Sequence, residues 1–204
     1  MKSQPIQPRE KIQTIDRLGE IAEQARADGL TVVLCHGVYD LLHMGHVRHL
    51  EVARSEKSVL IVTVTADAFV NKGPGRPVFT EAMRAEMVAA IEYVDWVGIS
   101  HFPTSTSIVE TIKPDFYVKG ADYKDMADDV SGNIISEKDS VEKHGGQIVF
   151  TDEVSFSSST LINKYLDIYD PPLRSYLDSM REEGALDELI QTVEKIAGYR
   201  ILFI

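Results

Sequence analysis

The sequence predicts an α/β protein with a doubly wound parallel sheet and a C-terminal helical extension. Short β-branched runs alternate with helical apolar patterns between residues 30 and 168. Three polar segments, at residues 37–46, 119–122 and 157–160, directly follow predicted strands. In an open parallel sheet such segments lie outside the carboxyl ends of the strands, so we expect them to meet in one crevice.

Length and composition indicate one domain of ordinary size with a small appendage, in a chain of 204 residues. A hydrophobic fraction of 44% and a charged fraction of 26% are typical of globular proteins. No apolar run approaches the ~20 residues that span a bilayer, and the N-terminus lacks the apolar core of a signal peptide. A single cysteine, Cys35, excludes a disulfide framework within the chain and a Cys-x-x-Cys metal site. We therefore expect a cytoplasmic protein with no membrane partner.

The formal net charge of −11 bears on possible ligands. Non-specific nucleic-acid binding needs a basic face, so no nucleic-acid partner is expected. A nucleotide ligand needs only a few local cations. Four cations near glycines or turns are candidates: Lys72, Arg76, Arg84 and Lys119.

The first elements follow from apolar periodicity. Apolar side chains at helical spacing predict an amphipathic helix over residues 9–28, packed on the sheet, with a separate interaction arm as the alternative. Residues 31–36 form the first predicted strand, in which Cys35 is expected to be a small buried residue. The His-x-Gly-His tetrad at residues 43–46 is predicted to open a helix that continues over residues 47–53. The nearly unbroken β-branched run at 58–65 is typical of a central strand that is buried on both faces.

The alternation continues through the second half of the chain. Predicted helices cover residues 80–90, 105–112 and 134–143, and predicted strands cover residues 96–99, 116–118 and 147–150. Thr80 is the predicted N-cap of the first of these helices, and Arg84 is expected on its exposed or site-facing side. This order of elements is what a doubly wound sheet requires.

The chain is organised around residues 37–46, which read Gly-Val-Tyr-Asp-Leu-Leu-His-Met-Gly-His. The stretch follows a strand and leads into a helix N-terminus, whose unpaired N–H groups and positive dipole end suit a phosphate. Gly45 removes a side chain where a phosphate would approach the backbone. His43 and His46 are three residues apart and face the same way on a helical turn, so both could donate hydrogen bonds to a phosphate. The alternative is a core strand, a turn and two surface histidines.

Two further polar segments allow more than one interpretation. The loop at residues 71–77 has two glycines, two prolines and two cations, and is either a plain surface loop or a closure over a nucleotide. The Ser/Thr cluster at residues 157–160 precedes a helical apolar pattern. It is either a helix cap only or a second set of phosphate-binding groups.

The stretch at residues 37–46 resembles the signature of the cytidylyltransferase-like nucleotidyltransferases, whose motif reads G-x-F-D-x-x-H-x-G-H. Tyr39 stands where that family usually has Phe and keeps the aromatic ring. Further segments resemble the adenylyltransferase domain of bifunctional ADP-heptose synthases: residues 75–78, 90–97, 113–115, 118–123, 145–147 and 157–162. The resemblance covers roughly residues 30–166.

The resemblance implies a Rossmann-like fold and transfer of AMP from ATP to a sugar 1-phosphate, a heptose 1-phosphate by family, with release of pyrophosphate. The implied partners are a nucleoside triphosphate and a sugar or polyol phosphate. Mg²⁺ would accompany the nucleotide, and no metal ligand from the protein is expected. The nearest alternative is a CTP-dependent cytidylyltransferase. A second alternative is a nucleotide-binding module without turnover, against which the intact His43 and His46 pair argues.

The resemblance also implies roles for individual residues. His43 and His46 would act on the triphosphate, and Lys72 would close on the nucleotide or the acceptor phosphate. Arg76 and Arg84 are candidates for the acceptor phosphate or pyrophosphate. Expected nucleotide-binding residues are Gly37, Val38, Tyr39, Asp40, Gly45, Lys119, Gly120, Asp122, Ser158, Ser159 and Thr160. Of these, Asp40 is expected to order the loop rather than to bind metal.

One departure from the family lies in the closing motif, which often reads I-S-S-T-x-x-R. Asn163 stands in the place of the Arg, which puts one phosphate contact in doubt. Lys164 could replace that contact only if the helix phase allows.

The segment Asp170-Pro171-Pro172 ends the α/β region, which predicts a nucleotidyltransferase domain over residues 1–168 and a helical tail over 169–204. The tail is predicted to hold helices at 173–180 and 186–196. The apolar segment at residues 198–204 is similar to the first strand of ribokinase-like sugar kinases, so a fused kinase domain beyond the tail is one expectation. The alternatives are pairing with a second subunit and a last strand on this sheet. A homodimer is expected.

Overall fold

Six parallel strands form one sheet in the part of the chain that the computed structural model describes, which is residues 7–73, 75–120, 134–151, 171–185, 188 and 192. The chain divides into two units, Met1–Leu161 and Ile162–Ile204. The sheet belongs to the first unit. None of the helices in the described ranges has the length and apolar character needed to cross a bilayer.

The strands of the sheet stand in the order β1-β4-β3-β2-β5-β6. Their bounds are β1 Ile12–Gln13, β2 Thr31–Gly37, β3 Ser58–Thr65, β4 Trp96–Ser100, β5 Phe116–Lys119 and β6 Gln147–Phe150. The helices of the same unit are α1 Ile15–Ala27, α2 Met44–Ala53, α3 Glu81–Ala89, α4 Thr106–Ile112 and α5 Ile134–Lys143. Short 3-10 turns occupy Pro8–Lys11 and Asp67–Phe69.

Helices cover both faces of the sheet, as the alternation along β2 shows. Val33 and Cys35 pack in a core with α2 and α3, whereas Val32 and Leu34 pack in a second core with α1, α4 and α5. The predicted doubly wound, Rossmann-like parallel sheet is therefore confirmed. Cys35 is fully buried as expected, and burial raises the pKa of its thiol.

The predicted N-terminal helix over residues 9–28 is wrong at its beginning. The helix starts at Ile15, because the Thr14 hydroxyl accepts a hydrogen bond from the backbone N–H of Arg17 and so caps α1. Before this cap the chain forms a 3-10 turn and the two-residue strand β1, in which Ile12 pairs with Val97 of β4. The spacing of Ile12 fits a helix face and a strand equally well, so periodicity could not find this strand.

The strand order reverses at β2, which pairs with β3 on one side and with β5 on the other. Ligands of open α/β sheets bind at this kind of switch point, outside the carboxyl ends of the strands. The loop after β2 leads directly into α2, which begins at Met44, within the His-x-Gly-His tetrad predicted to open this helix. The sheet therefore places residues 37–46 at its switch point.

The second unit contributes the helix α6, Pro171–Glu182, to the described residues. It includes the predicted tail helix at 173–180. A proline within the first turn is compatible with a helix start, because the first N–H groups have no partner within the helix. The closing segment 198–204 lies outside the described residues, as does the predicted helix at 186–196 apart from residues 188 and 192, which are helical.

Candidate active site

His43 is the N-cap of α2, and its side chain completes a capping box with His46. The Nδ1 atom of His43 accepts a hydrogen bond from the backbone N–H of Gly45 at 3.1 Å. In return, the Nδ1 atom of His46 accepts from the backbone N–H of His43 at 3.4 Å. These bonds satisfy N–H groups that a helix start leaves without a partner. The first turn of α2 therefore fixes both imidazoles.

The same bonds determine where each imidazole carries its proton. A ring nitrogen that accepts a hydrogen bond has no proton, so the neutral rings of His43 and His46 are both protonated at Nε2. The two ring centroids lie 4.0 Å apart. The helix start thus holds two N–H donors next to each other, which suits a ligand with several anionic oxygens.

Both imidazoles are held in the neutral form. The pKa of His46 is lowered to about 3, mainly by burial and in smaller part by the charges of His43, His49 and Lys72. Burial also lowers the pKa of His43. At neutral pH the pair therefore acts through hydrogen bonds rather than as cations.

Tyr39 occupies a strained position within the loop. Its φ angle is +53°, in the left-handed region that non-glycine residues seldom adopt. This turn buries the ring and brings it to 5.4 Å from the ring of His46, between centroids. A Cβ atom on Gly37 would lie 3.2 Å from the Tyr39 ring, so glycine at that position leaves room for it. The aromatic residue of the motif thus supports His46.

Asp40 joins the motif loop to the segment after the basic loop. Its Oδ1 atom accepts hydrogen bonds from the backbone N–H groups of Val78 and Phe79, at 2.7 and 3.1 Å. The carboxylate is buried. Through these two bonds Asp40 sets where the chain returns after residues 71–77.

Arg84 corrects the expectation that it lies on the exposed or site-facing side of its helix. The side chain is fully buried. Its guanidinium donates to four oxygens, on the main chains of Val38, Thr65 and Phe79 and on the carboxylate of Asp67. A guanidinium has five N–H groups, so these bonds use most of its capacity. Arg84 therefore holds the loops of the site together and is not a free cation for the acceptor phosphate.

The two cations of the basic loop lie in different surroundings. Lys72 is exposed, and its charge contributes to the lowered pKa of His46. Lys72 is therefore close enough to His46 for the two charges to interact. Arg76 is half-buried, directly before the segment that Asp40 binds.

Lys119 ends β5 but turns its ammonium group away from solvent. It forms a buried ion pair with Glu137 of α5, and the hydroxyl of Ser105 donates to the same carboxylate. The ammonium also lies 5.2 Å from the ring centroid of Tyr117. What β5 presents at the switch point is therefore mainly its backbone around Gly120. Asp122, Ser158, Ser159, Thr160, Asn163 and Lys164 lie outside the described residues.

Several polar residues near the site were missed in the sequence. His36 contacts the hydroxyls of Thr63 and Thr65 from Nδ1 and Nε2, at 2.9 and 3.3 Å, and burial lowers its pKa to about 4. His49 contacts the hydroxyl of Thr151 from Nδ1 at 3.0 Å. His49 lies three residues after His46, and this helical spacing could have predicted that the two side chains are neighbours.

Among the residues with described positions, no group of three or more His, Cys, Asp or Glu side chains could hold a metal ion. Asp40 is the one carboxylate in residues 37–46, and its Oδ1 atom accepts two backbone hydrogen bonds.

Comparison with known proteins gives a consistent result. Residues 34–164 match the family described as Cytidylyltransferase-like. The chain is 39% identical over 162 residues to "Bifunctional protein HldE" of Geobacter metallireducens, and 36% identical over 163 residues to the protein of that name in Syntrophotalea carbinolica. Each alignment covers 78% of this chain and 32% of the relative, so the chain spans about a third of these relatives.

Among solved structures, a lipopolysaccharide core biosynthesis protein from Thermoplasma volcanium matches with a TM-score of 0.51 at 27% identity. The match covers 62% of this chain and all of that protein. The similarity therefore spans the whole of that smaller protein.

Proposed function

The chain belongs to the cytidylyltransferase-like family of nucleotidyltransferases, and we propose that it transfers AMP from ATP to a sugar 1-phosphate. The observation that carries this proposal is the pair of Nε2–H donors of His43 and His46 at the switch point. The resemblance of residues 75–162 to the adenylyltransferase domain of bifunctional ADP-heptose synthases supports ATP and a heptose 1-phosphate as the substrates. The structural neighbour, described as a lipopolysaccharide core biosynthesis protein, supports a sugar acceptor.

In the proposed reaction an oxygen of the acceptor phosphate attacks the α-phosphorus of ATP in line. A new P–O bond forms while the bond from the α-phosphorus to the β-phosphate bridging oxygen breaks, and pyrophosphate leaves. Such a transfer needs positioning and charge stabilisation rather than a protein nucleophile. His43 and His46 donate from Nε2 to the oxygens around the α-phosphorus, where charge increases in the transition state. Lys72 supplies the positive charge that closes on the phosphates.

Mg²⁺ belongs to the substrate in this proposal. The ion enters bound to the triphosphate, whose charge it partly neutralises. The histidine donors act on oxygens that the ion leaves accessible.

The nearest competing function is the same transfer from CTP to a polyol or sugar phosphate. The motif residues act on phosphates, which ATP and CTP share, so His43 and His46 do not separate the two. We favour ATP, because residues 75–162 resemble an adenylyltransferase domain. A second alternative is a binding module without turnover.

The test measures pyrophosphate release with ATP or CTP, Mg²⁺ and a panel of sugar 1-phosphates and polyol phosphates. We expect release with ATP and a heptose 1-phosphate, and a loss of about 10²–10³ in rate for His46→Ala. The matched control is His101→Ala, because His101 is an exposed imidazole outside the motif. Pyrophosphate release with CTP but not with ATP would instead identify the protein as a cytidylyltransferase. Nucleotide binding without release across the whole panel would support the binding module.

The extent of this domain, its fusion to a second domain and its oligomeric state are proposed as well. We propose that the transferase domain ends near residue 168 and that the tail leads to a fused sugar kinase. The support is that the relatives are named bifunctional and are about three times as long as the aligned segment. Reading the natural gene beyond the codon for Ile204 tests the fusion. A homodimer in the cytoplasm is also proposed, and light scattering of the purified chain tests the dimer.

A further inference from the structure

A third imidazole follows the histidine pair along α2. His49 lies three residues after His46, as His46 lies three residues after His43. Each of these side chains therefore neighbours the next, in a row that winds around the start of α2. Burial lowers the pKa of His49, so this ring is also neutral at neutral pH. The capping box explains the first two members of the row but not the third.

His49 reaches across to the far strands of the sheet through Thr151. Its Nδ1 atom lies 3.0 Å from the hydroxyl oxygen of Thr151, the buried residue that follows β6. The backbone N–H of Thr151 donates to the carbonyl oxygen of Lys119 at 2.9 Å, at the end of β5. A side chain of α2 is thus bonded to the point where β5 and β6 end.

The hydroxyl of Thr151 also contacts the carbonyl oxygen of Lys119, at 3.4 Å. We assign the hydroxyl proton to this carbonyl, which can only accept, and this leaves the hydroxyl oxygen to accept from His49. With this assignment His49 donates from Nδ1, and its Nε2 has no proton. This tautomer is the opposite of that in His43 and His46, both of which accept at Nδ1.

We propose that His49 is a positioning residue for the transfer, one that locks α2 to the ends of β5 and β6 through a Nδ1–H bond to Thr151. The inference rests on the proposed function. The capping box fixes His43 and His46 relative to α2, but it does not fix α2 relative to the switch point. Apolar packing holds α2 on the sheet, and the bond from His49 to Thr151 adds a directional constraint at the ends of β5 and β6, about one helical turn after His46. A shift of α2 by a fraction of an ångström would misplace both Nε2–H donors at once.

The test uses the variants Thr151→Val and Thr151→Ser in the full chain. Valine keeps the shape of threonine and removes the hydroxyl, whereas serine keeps the hydroxyl. Two readouts are measured: steady-state pyrophosphate release, and the ¹⁵N shifts of the imidazoles, which report the protonated nitrogen without any turnover. Thr111→Val is the matched control, because the Thr111 hydroxyl bonds to a carbonyl within α4 on the opposite face of the sheet.

We expect the wild-type spectrum to show His49 protonated at Nδ1 and His43 and His46 protonated at Nε2. Thr151→Val should lower kcat about tenfold with the KM for ATP within about twofold, because positioning acts on the transition state. It should also release His49 from its Nδ1–H form. Thr151→Ser and Thr111→Val should keep wild-type values. If Thr151→Val fails to fold, His49→Leu and His49→Asn replace it, since the asparagine amide can still donate to Thr151.

Two results would overturn the proposal. One is a wild-type spectrum in which His49 is protonated at Nε2, and the other is an unchanged kcat in folded Thr151→Val or His49→Leu. Failure of the proposed function looks different. In that case the wild-type protein releases no pyrophosphate with any substrate pair although its imidazoles show the expected tautomers, and the role of His49 in transfer is then rejected with it.

Discussion

The guanidinium of Arg84 donates from Nη1 to the carbonyl oxygen of Val38, 46 residues earlier in the chain, at 2.5 Å. The same group binds the carbonyl of Thr65 at the end of β3 and the carbonyl of Phe79 after the basic loop. Three segments around the switch point therefore meet at one buried cation. This arrangement makes Arg84 a framework residue for the histidine motif.

We expect Arg84→Lys to damage both stability and turnover. A lysine can replace at most part of the forked set of donors, which leaves buried carbonyl oxygens without a partner. The free energy of unfolding should fall by about 2–4 kcal/mol, measured by urea denaturation. Turnover of the folded fraction should fall at least about tenfold, since the motif loop loses its support. Arg17→Lys is the control, because Arg17 forms an exposed ion pair with Glu20 and should change stability by less than about 0.5 kcal/mol.

His43 has two functions in this structure that a pair of variants can separate. Asparagine is a good N-cap, so His43→Asn should keep the bond to Gly45, whereas His43→Ala should lose it at a cost of about 1 kcal/mol. Both variants lose the Nε2–H donor, and both should lose about 10²–10³ in kcat. Thermal unfolding and pyrophosphate release measure the two effects. A fully active His43→Asn would mean that His43 serves only as a cap.

Acid should destabilise the fold through its buried histidines. Burial lowers the pKa of His36 to about 4 and that of His46 to about 3, from an ordinary value of 6.5. Below pH 6.5 these histidines become protonated in the unfolded chain but stay neutral in the folded chain. The stability is therefore complete above about pH 6.5 and is lost as the pH falls toward 4, by about 1.4 kcal/mol per pH unit for each histidine.

Urea denaturation between pH 7.5 and 5 measures this slope. His36→Gln removes one of the groups, so its slope should be smaller by about 1.4 kcal/mol per pH unit, whatever its stability at pH 7.5. Thr111→Val is the control, because this substitution removes no imidazole and should keep the wild-type slope. An unchanged slope in His36→Gln would show that His36 is protonated equally in the folded and unfolded chains.

The parts of this structure that the sequence could predict are those encoded by periodic patterns. The β-branched run at residues 58–65 and the helical pattern at residues 134–143 correspond to β3 and α5 with the same bounds. The strand β1 was missed because two residues cannot show a period. Arg84 was placed wrongly because a charged residue on a helix is usually exposed. Its burial is favourable because of the carbonyl groups of Val38, Thr65 and Phe79 and the carboxylate of Asp67, and no local pattern indicates these partners.

The ion pair of Lys119 and Glu137 illustrates the same limit. Lys119 follows a strand beside a glycine, which is typical of a nucleotide site, and nothing near it in sequence indicates its partner in α5. Both side chains are buried, and a buried pair is strongly sensitive to the loss of one member. The position of the carboxylate therefore decides whether the ammonium group serves the ligand or the fold.

We expect Glu137→Gln to lower the free energy of unfolding by about 3–5 kcal/mol, because it leaves the buried ammonium without its anion. The double variant Lys119→Met with Glu137→Met removes both charges and should recover most of that loss. Because the ammonium already pairs with Glu137, the double variant should bind ATP with a Kd within about threefold of wild type, measured by calorimetry. A Kd raised by tenfold or more in the stable double variant would instead assign Lys119 to a nucleotide phosphate, since each lost charge-assisted hydrogen bond costs about 1.5–3 kcal/mol.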